Sequence, residues 1–192
     1  EEVYTQYQSE FLDNWKRLGI TFDLFTTTHS QNHEEVAQDI FLTLHRNGYI
    51  YKDTMSQPYC QTDRRFLADR YVEGTCPHCG CDGARGDQCD QCGRTLDPKD
   101  LIDMTCRICE DTPIIRETEH FFLKLSAFEE RLSEWVRAQT HWKPNVRNFT
   151  LGYLDGGLHD RAITRDIDWG VPVPLDGYDG KRLYVWFEAV IG

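Results

Sequence analysis

Apolar positions in the first stretch of the chain recur every three or four residues. Val3, Tyr7, Phe11, Trp15 and Leu18 mark one face of an amphipathic helix over 3–18, and Gly19 offers a stop. Ile20–Phe25 reads as a short extended segment. Asn32 followed by Glu35 has the form of a capping box, opening a helix that buries Val36, Ala37, Ile40, Phe41 and Leu44 and ends at Gly48. Tyr49-Ile50-Tyr51 is strand-like. Helix, strand, helix and strand at this spacing predict a piece of an α/β layer.

The texture changes between residues 52 and 118. Apolar periodicity fades, and Cys, Gly and Asp take over. Such a stretch buries too little surface to fold alone, so a bound metal is expected to supply the missing stability. Within it, Asp97-Pro98 predicts an N-cap and first-turn proline for a short helix through Ile102. Ordinary patterning returns at His120. Phe121–Leu125 is strand-like, and Ser126 with Glu129 suggests a second capping box before a helix facing inward with Phe128, Leu132, Trp135 and Val136. Pro144 opens another helix, stopped by Gly156-Gly157. Arg182–Phe187 is almost continuously apolar and predicts a strand covered on both faces, cut short from something larger.

Composition narrows the classes. The 192 residues include 32 acidic and 21 basic side chains, for a net charge of −11, and 40% are apolar. Collagen, low-complexity polymers and general disorder are thereby excluded. No apolar run reaches the roughly 20 residues of a membrane span. Glu1-Glu2-Val3-Tyr4 shows neither the basic nor the apolar region of a signal peptide. The acidic balance argues against a nucleic-acid scaffold working by bulk charge, and no DNA partner is expected. Locally, Arg137, Lys143, Arg147, Arg161 and Arg165 are interleaved with Trp142, Phe149 and Tyr153. That pattern suits phosphates and bases, but a solvated helix face over a core fits it better.

The eight cysteines say more. Cys76-Pro77-His78-Cys79 and Cys89-Asp90-Gln91-Cys92 are C-x-x-C doublets, each followed by glycine. The two-residue gap lets two thiolates face one tetrahedral ion, so these four predict a zinc site over disulfides or a redox pair. Cys60 and Cys106-Arg107-Ile108-Cys109 flank the quartet. If the flanks meet, three sulfurs converge on a second ion. Asp63 then stands at the doublet spacing from Cys60, with Cys81 and His78 as rival fourth ligands and free thiols as the alternative to any ion. His29, His33, His45, His120, His141 and His159 show no metal spacing, and no phosphate-cradling or activated-serine motif is present.

Longer motifs accompany the doublets. Phe66-Leu67-Ala68-Asp69-Arg70-Tyr71-Val72-Glu73-Gly74-Thr75-Cys76 precedes Ala84-Arg85-Gly86-Asp87-Gln88-Cys89; Ala162–Asp166, Trp169–Pro174 and Tyr184–Gly192 follow. Together they closely resemble methionyl-tRNA synthetases of the type with two zinc knuckles. The resemblance implies a Rossmann-type α/β catalytic domain interrupted by a mixed α+β connective insertion. Residues 1–50 would end the first Rossmann half, 51–183 would be the insertion with its knuckles at about 56–112, and 184–192 would be the first strand of the second half. It implies a cytoplasmic enzyme that uses ATP and magnesium to activate methionine and passes the methionyl group to tRNA(Met). It also implies that Arg165 is an active-site arginine and that Trp186 and Ala189 line the methionine pocket. Two departures stand out. Glu188-Ala189-Val190 replaces the usual Asp-Ala-Pro, and Asp63 stands where relatives carry a fourth cysteine. The two nucleotide-binding signatures of the family are absent from the chain, so it is not expected to activate methionine alone. The competing class is a stand-alone zinc ribbon that binds nucleic acid or protein.

Overall fold

The computed structural model describes residues 2–191, and the first predicted helix forms as α1, Glu2–Arg17. Glu1 and Gly192, the outermost residues of the expected domain pieces, lie outside the described residues. Trp15 anchors α1 by packing against Phe22 and Phe25 at ring separations of 5.0 and 4.9 Å. That contact bends residues 20–25 back as a coil, and no strand forms there. Along α1, Val3, Tyr7, Phe11 and Leu12 stay exposed, as does Leu18 just past its end.

The second helix, α2 (Gln31–Arg46), begins one residue earlier than its predicted cap. Ser30, not Asn32, is the N-cap, and its hydroxyl accepts from the backbone N–H of His33. Ala37 and Phe41 are fully buried, whereas Val36 is exposed. Phe41 meets Phe121 edge-on at 5.3 Å. This pair sits in a core with Ile50, Ile163, Val171, Val173, Leu183 and Phe187. An edge-to-face aromatic pair of this kind is worth about 1 kcal/mol beyond its buried area.

Strands β1 (Ile50–Cys60) and β6 (Ile114–Leu123) form a long antiparallel hairpin in register from Ile50↔Leu123 to Tyr59↔Ile114. The strand expected only at 121–125 therefore starts seven residues earlier. Most of its outer half is exposed, so no apolar alternation betrays it; main-chain pairing with β1 holds it. Strand β2 (Arg65–Phe66) pairs with the far end of β1, and β7 (Arg161–Ala162) with the near end of β6. Beyond the tip lies a small sheet in the order β4 (Ala84–Arg85), β3 (Val72–Thr75), β5 (Ile102–Cys106). Asp97 caps the turn at Pro98–Asp100 as expected, but the turn is a single 3-10 element and Ile102 already belongs to β5.

The C-terminal third holds α3 (Glu129–Ala138) and α4 (Pro144–Asp155). The second capping box does not form. Ser126 instead binds Asp160 through both its amide and hydroxyl, and Glu129 accepts from the Leu158 N–H. Strands β8 (Thr164–Arg165) and β9 (Arg182–Leu183) pair, and the chain then departs from expectation. Tyr184–Phe187 is not strand: Val185–Glu188 forms the helical turn α5. The extended run pairs only as far as the Tyr184 N–H on Ile163 O. Past it the backbone turns on itself, with Phe187 N and Glu188 N donating to Tyr184 O. Helical spacing sends Phe187 into the core and Trp186 outward.

Every strand pairing among the described residues is antiparallel. The chain is thus a mixed α/β fold, without the parallel strands of a Rossmann sheet in these residues.

Candidate functional site

The structure brings both predicted ligand sets together. One donor atom from each of Cys76, Cys79, Cys89 and Cys92 lies within 4.8 Å of the others, and the same holds for Cys60, Asp63, Cys106 and Cys109. All eight cysteines are free thiols in the structure. The first doublet turns back at Gly80, whose N–H donates to Cys76 O; the second turns at Gly93, whose N–H donates to Cys89 O. Both glycines have positive φ, +71° and +70°. Cys81 stands apart, donating to Asp82 O at 3.3 Å, and His78 is exposed, so neither rival ligand joins a cluster.

In the second set, Asp63 Oδ2 lies 3.3 Å from Sγ of both Cys60 and Cys106, and the Cys60 and Cys109 sulfurs are 3.4 Å apart. These thiols hold the Asp63 carboxyl below its usual range, Cys106 first, then Cys60 and Cys109. Crowding divides the first set. Backbone N–H groups, Cys92 first, bring Cys89 down to about 7 against the cost of burial. Cys79 is pushed up to about 12: the Cys81 N–H favours its thiolate, but burial and the Cys76, Cys89 and Cys92 sulfurs outweigh that help. Four sulfurs this close become thiolates together only around a cation, which is the donor set of tetrahedral zinc.

Arg165 is buried, outside both cysteine clusters. Its Nη1 donates to Ala162 O and Thr164 O at 3.1 and 2.9 Å. The guanidinium stacks over Tyr184 at 3.9 Å, and Nη2 lies 3.8 Å from Asp69 Oδ2. Its Nε is buried without a partner. Asp69 comes from the metal-ligating segment 60–109, called the ribbon below, where its carbonyl accepts from Gly86 N at 3.0 Å, so it ties that segment to the arginine. Arg165 and Trp186 each line two cavities of about 1000 and 930 Å³. Trp186 is 71% exposed. Ala189 is half-buried and contributes to the wall of neither cavity.

Spacing did not reveal the partners of Arg165. Asp69 and Tyr184 are 96 and 19 residues away from it in sequence. The signals available for them were the motif runs that contain them, not any local pattern. Burial hides a second polar group behind Arg165. His120 Nδ1 is 2.9 Å from Thr164 Oγ1, while its Nε2 sits 3.2 Å from Asp166 Oδ2 without the alignment of a full hydrogen bond. Lys181 and Thr118 also bind Asp166, at 2.6 and 2.7 Å.

Comparison with known proteins places the whole chain in one family. Residues 1–192 match the family described as tRNA synthetases class I (M). The chain is 61% identical over 191 residues to the methionine–tRNA ligase of Dehalococcoides mccartyi, covering 100% of this chain and 34% of that protein. It is 57% identical over 192 residues to the methionine–tRNA ligase of Thermomicrobium roseum, covering 100% and 33%. The methionyl-tRNA synthetase of Mycobacterium tuberculosis, solved bound by methionyl-adenylate, superimposes with a TM-score of 0.61 at 26% identity over 94% of this chain and 31% of that one. The chain thus spans about a third of the length of the curated relatives it matches.

Proposed function

The chain belongs to the methionyl-tRNA synthetase family of class I tRNA synthetases, and from that premise we propose that it is the central part of a methionine–tRNA ligase. The whole enzyme activates methionine with ATP and magnesium and transfers the methionyl group to tRNA(Met). The identity of 61% along the entire chain carries this reading. The exposed apolar face of α1 supports a piece of a larger protein over a stand-alone ribbon, since a self-contained module would bury Val3, Tyr7 and Phe11.

Residues 51–183 form the connective insertion between two parts of the catalytic domain. Cys76, Cys79, Cys89 and Cys92 hold one zinc; Cys60, Asp63, Cys106 and Cys109 hold a second. Zinc supplies no redox or acid–base chemistry in such closed sites; it stiffens the ribbon. The ribbon in turn presents Asp69 to Arg165. Arg165 is the group that meets the anionic parts of the substrates, and Trp186 offers its indole face to the thioether of methionine. Two backbone carbonyls and the Tyr184 ring hold Arg165 in place for this role. The isolated chain lacks the family's nucleotide-binding signatures and does not form adenylate by itself.

The test is made in the full-length protein. Replacing Cys76 or Cys89 by serine should lower zinc content and aminoacylation together. Full methionylation of tRNA by a zinc-free variant would refute the role given to the ribbon, and absence of any methionine-dependent pyrophosphate exchange in the wild type would refute the ligase reading itself.

A further inference from the structure

The two metal clusters are built on one repeated turn but not from equal parts. Each half-site is a two-residue gap followed by a corner residue of positive φ. In the Cys76/Cys79/Cys89/Cys92 cluster the corners are Gly80 and Gly93, at +71° and +70°. In the other cluster the corners are Arg64 and Glu110, at +52° and +64°. The same hydrogen bond closes the Glu110 turn: Glu110 N donates to Cys106 O at 2.8 Å, as Gly93 N does to Cys89 O. A Cβ in this left-handed region presses on the following carbonyl, which is why glycine is favoured there. Both turns of the second cluster therefore carry a penalty that the first avoids.

The donor set differs in the same direction. Asp63 occupies the position that Cys79 fills in Cys76-x-x-Cys79, and its Oδ2 takes the place of a sulfur 3.3 Å from Cys60 and Cys106. Soft thiolates favour zinc over harder ions, and one carboxylate oxygen weakens that preference and opens the easiest bond to displace. The backbone offers no compensation. The Asp63 and Ile108 N–H groups donate to Cys60 and Cys106 sulfurs at 3.3 and 3.4 Å, much as His78 N does to Cys76 at 3.4 Å.

We propose that the clusters are unequal: the Cys60/Asp63/Cys106/Cys109 cluster is the exchangeable site, holding its ion roughly tenfold or more weakly and surrendering it first. The inference rests on the reading that both clusters bind zinc. It adds that the ribbon exists in a one-ion and a two-ion form at low free zinc, with the ion missing from the end nearest β1.

The experiment uses the full-length protein loaded with cadmium or zinc. Metal per chain is counted first by elemental analysis. Uptake of fewer than two ions would overturn the two-site reading and this inference with it. With two ions bound, cadmium-113 spectra of the wild-type chain should show one four-sulfur resonance and one three-sulfur, one-oxygen resonance. Stepwise chelator should erase the latter first. Loss of the four-sulfur signal first, or of both together, would overturn the inequality while leaving two-site binding intact. Asp63→Cys should merge the two release steps. The double change Arg64→Gly with Glu110→Gly should shift release of the three-sulfur ion to at least about threefold higher chelator. The wild-type spectrum decides the matter even if either variant fails to fold.

Discussion

The imidazole of His33 and the carboxylate of Glu188 meet through Nε2 and Oε2 in the interior, although 155 residues separate them. His33 is 5% exposed and Glu188 8%. The pair joins the first turn of α2 to α5, the helical turn that carries Trp186. Glu188 is one of the two departures from the usual Asp-Ala-Pro, and its carboxylate is the group that meets His33. Glu188→Ala leaves a buried imidazole nitrogen without its partner. That should cost about 2 kcal/mol of stability. Glu188→Gln, which keeps a hydrogen-bonding group in place, should cost less. Denaturant unfolding of the two variants checks the ranking, and equal midpoints for Ala and wild type would show that the contact is not made.

Gly86 gives a sharper local test. A Cβ built there would lie 2.7 Å from Asp69 O and 2.8 Å from Pro98 Cγ. The glycine permits the close approach through which the ribbon holds Asp69 near Arg165. Gly86→Ala should force Asp69 to move, at about 1–3 kcal/mol in stability. Because Gly86 lies outside both donor sets, bound zinc per chain should be unchanged. In the full-length protein methionylation should fall with metal content intact. Loss of metal together with activity would mean that the ribbon, not the Asp69 contact, had failed.

How much of this was readable beforehand depended on how local each signal is. The knuckles were legible because a C-x-x-C gap is four residues long and carries its own geometry, and the Asp63 position followed from the same gap. Helix α4 was legible at both ends because Pro144 and Gly156 each act on their own backbone. By contrast, Tyr184–Phe187 is a short apolar run, which alone does not tell a strand from a buried helical turn. The structure resolves it by the lack of a pairing partner beyond Ile163 O. The outer half of β6 is mostly exposed and so leaves no periodic trace. The His33–Glu188 contact and the Arg165 partners are products of the tertiary fold, with no counterpart in spacing.

Acid should weaken the fold through the group behind Arg165. Burial is the main force holding His120 below the ordinary histidine value of 6.5, so the folded protein favours neutral imidazole. Burial opposes ionisation of Asp166, but His120, Lys181 and Thr118 outweigh it and bring the carboxyl down to about 2 from an ordinary 3.8. Both folded values are depressed. The unfolded chain therefore takes up protons first as pH falls, and the stability these groups contribute is lost in that direction. His120 begins the loss below about pH 6.5, and Asp166 extends it from about pH 4 towards 2. Stability measured against pH for His120→Gln should lose the upper part of this slope and keep a smaller lower part, which Lys181 and Thr118 still support. An unchanged slope between pH 6.5 and 5 would contradict the assignment.

Chelation should unfold one end of the molecule and spare the other. The ribbon's buried cluster consists of Cys60, Leu67, Val72, Cys76, Ala84, Cys89, Leu101 and Cys106. Half of these are cysteines of the two donor sets, so without metal four apolar side chains remain to pay for ordering some fifty residues, which is far too few. The other core, with Phe41, Phe121, Ile163, Val173 and Leu183, contains no donor atom. Hydrogen exchange on the chelated protein should therefore show lost protection from β3 through β5, while α2 and the inner half of the β1–β6 hairpin stay protected. The hairpin joins the two regions, so fraying should begin at Tyr59↔Ile114 and stop before Ile50↔Leu123. Uniform loss across both cores would mean that the metal sites support the whole fold and that the apolar core does not stand by itself.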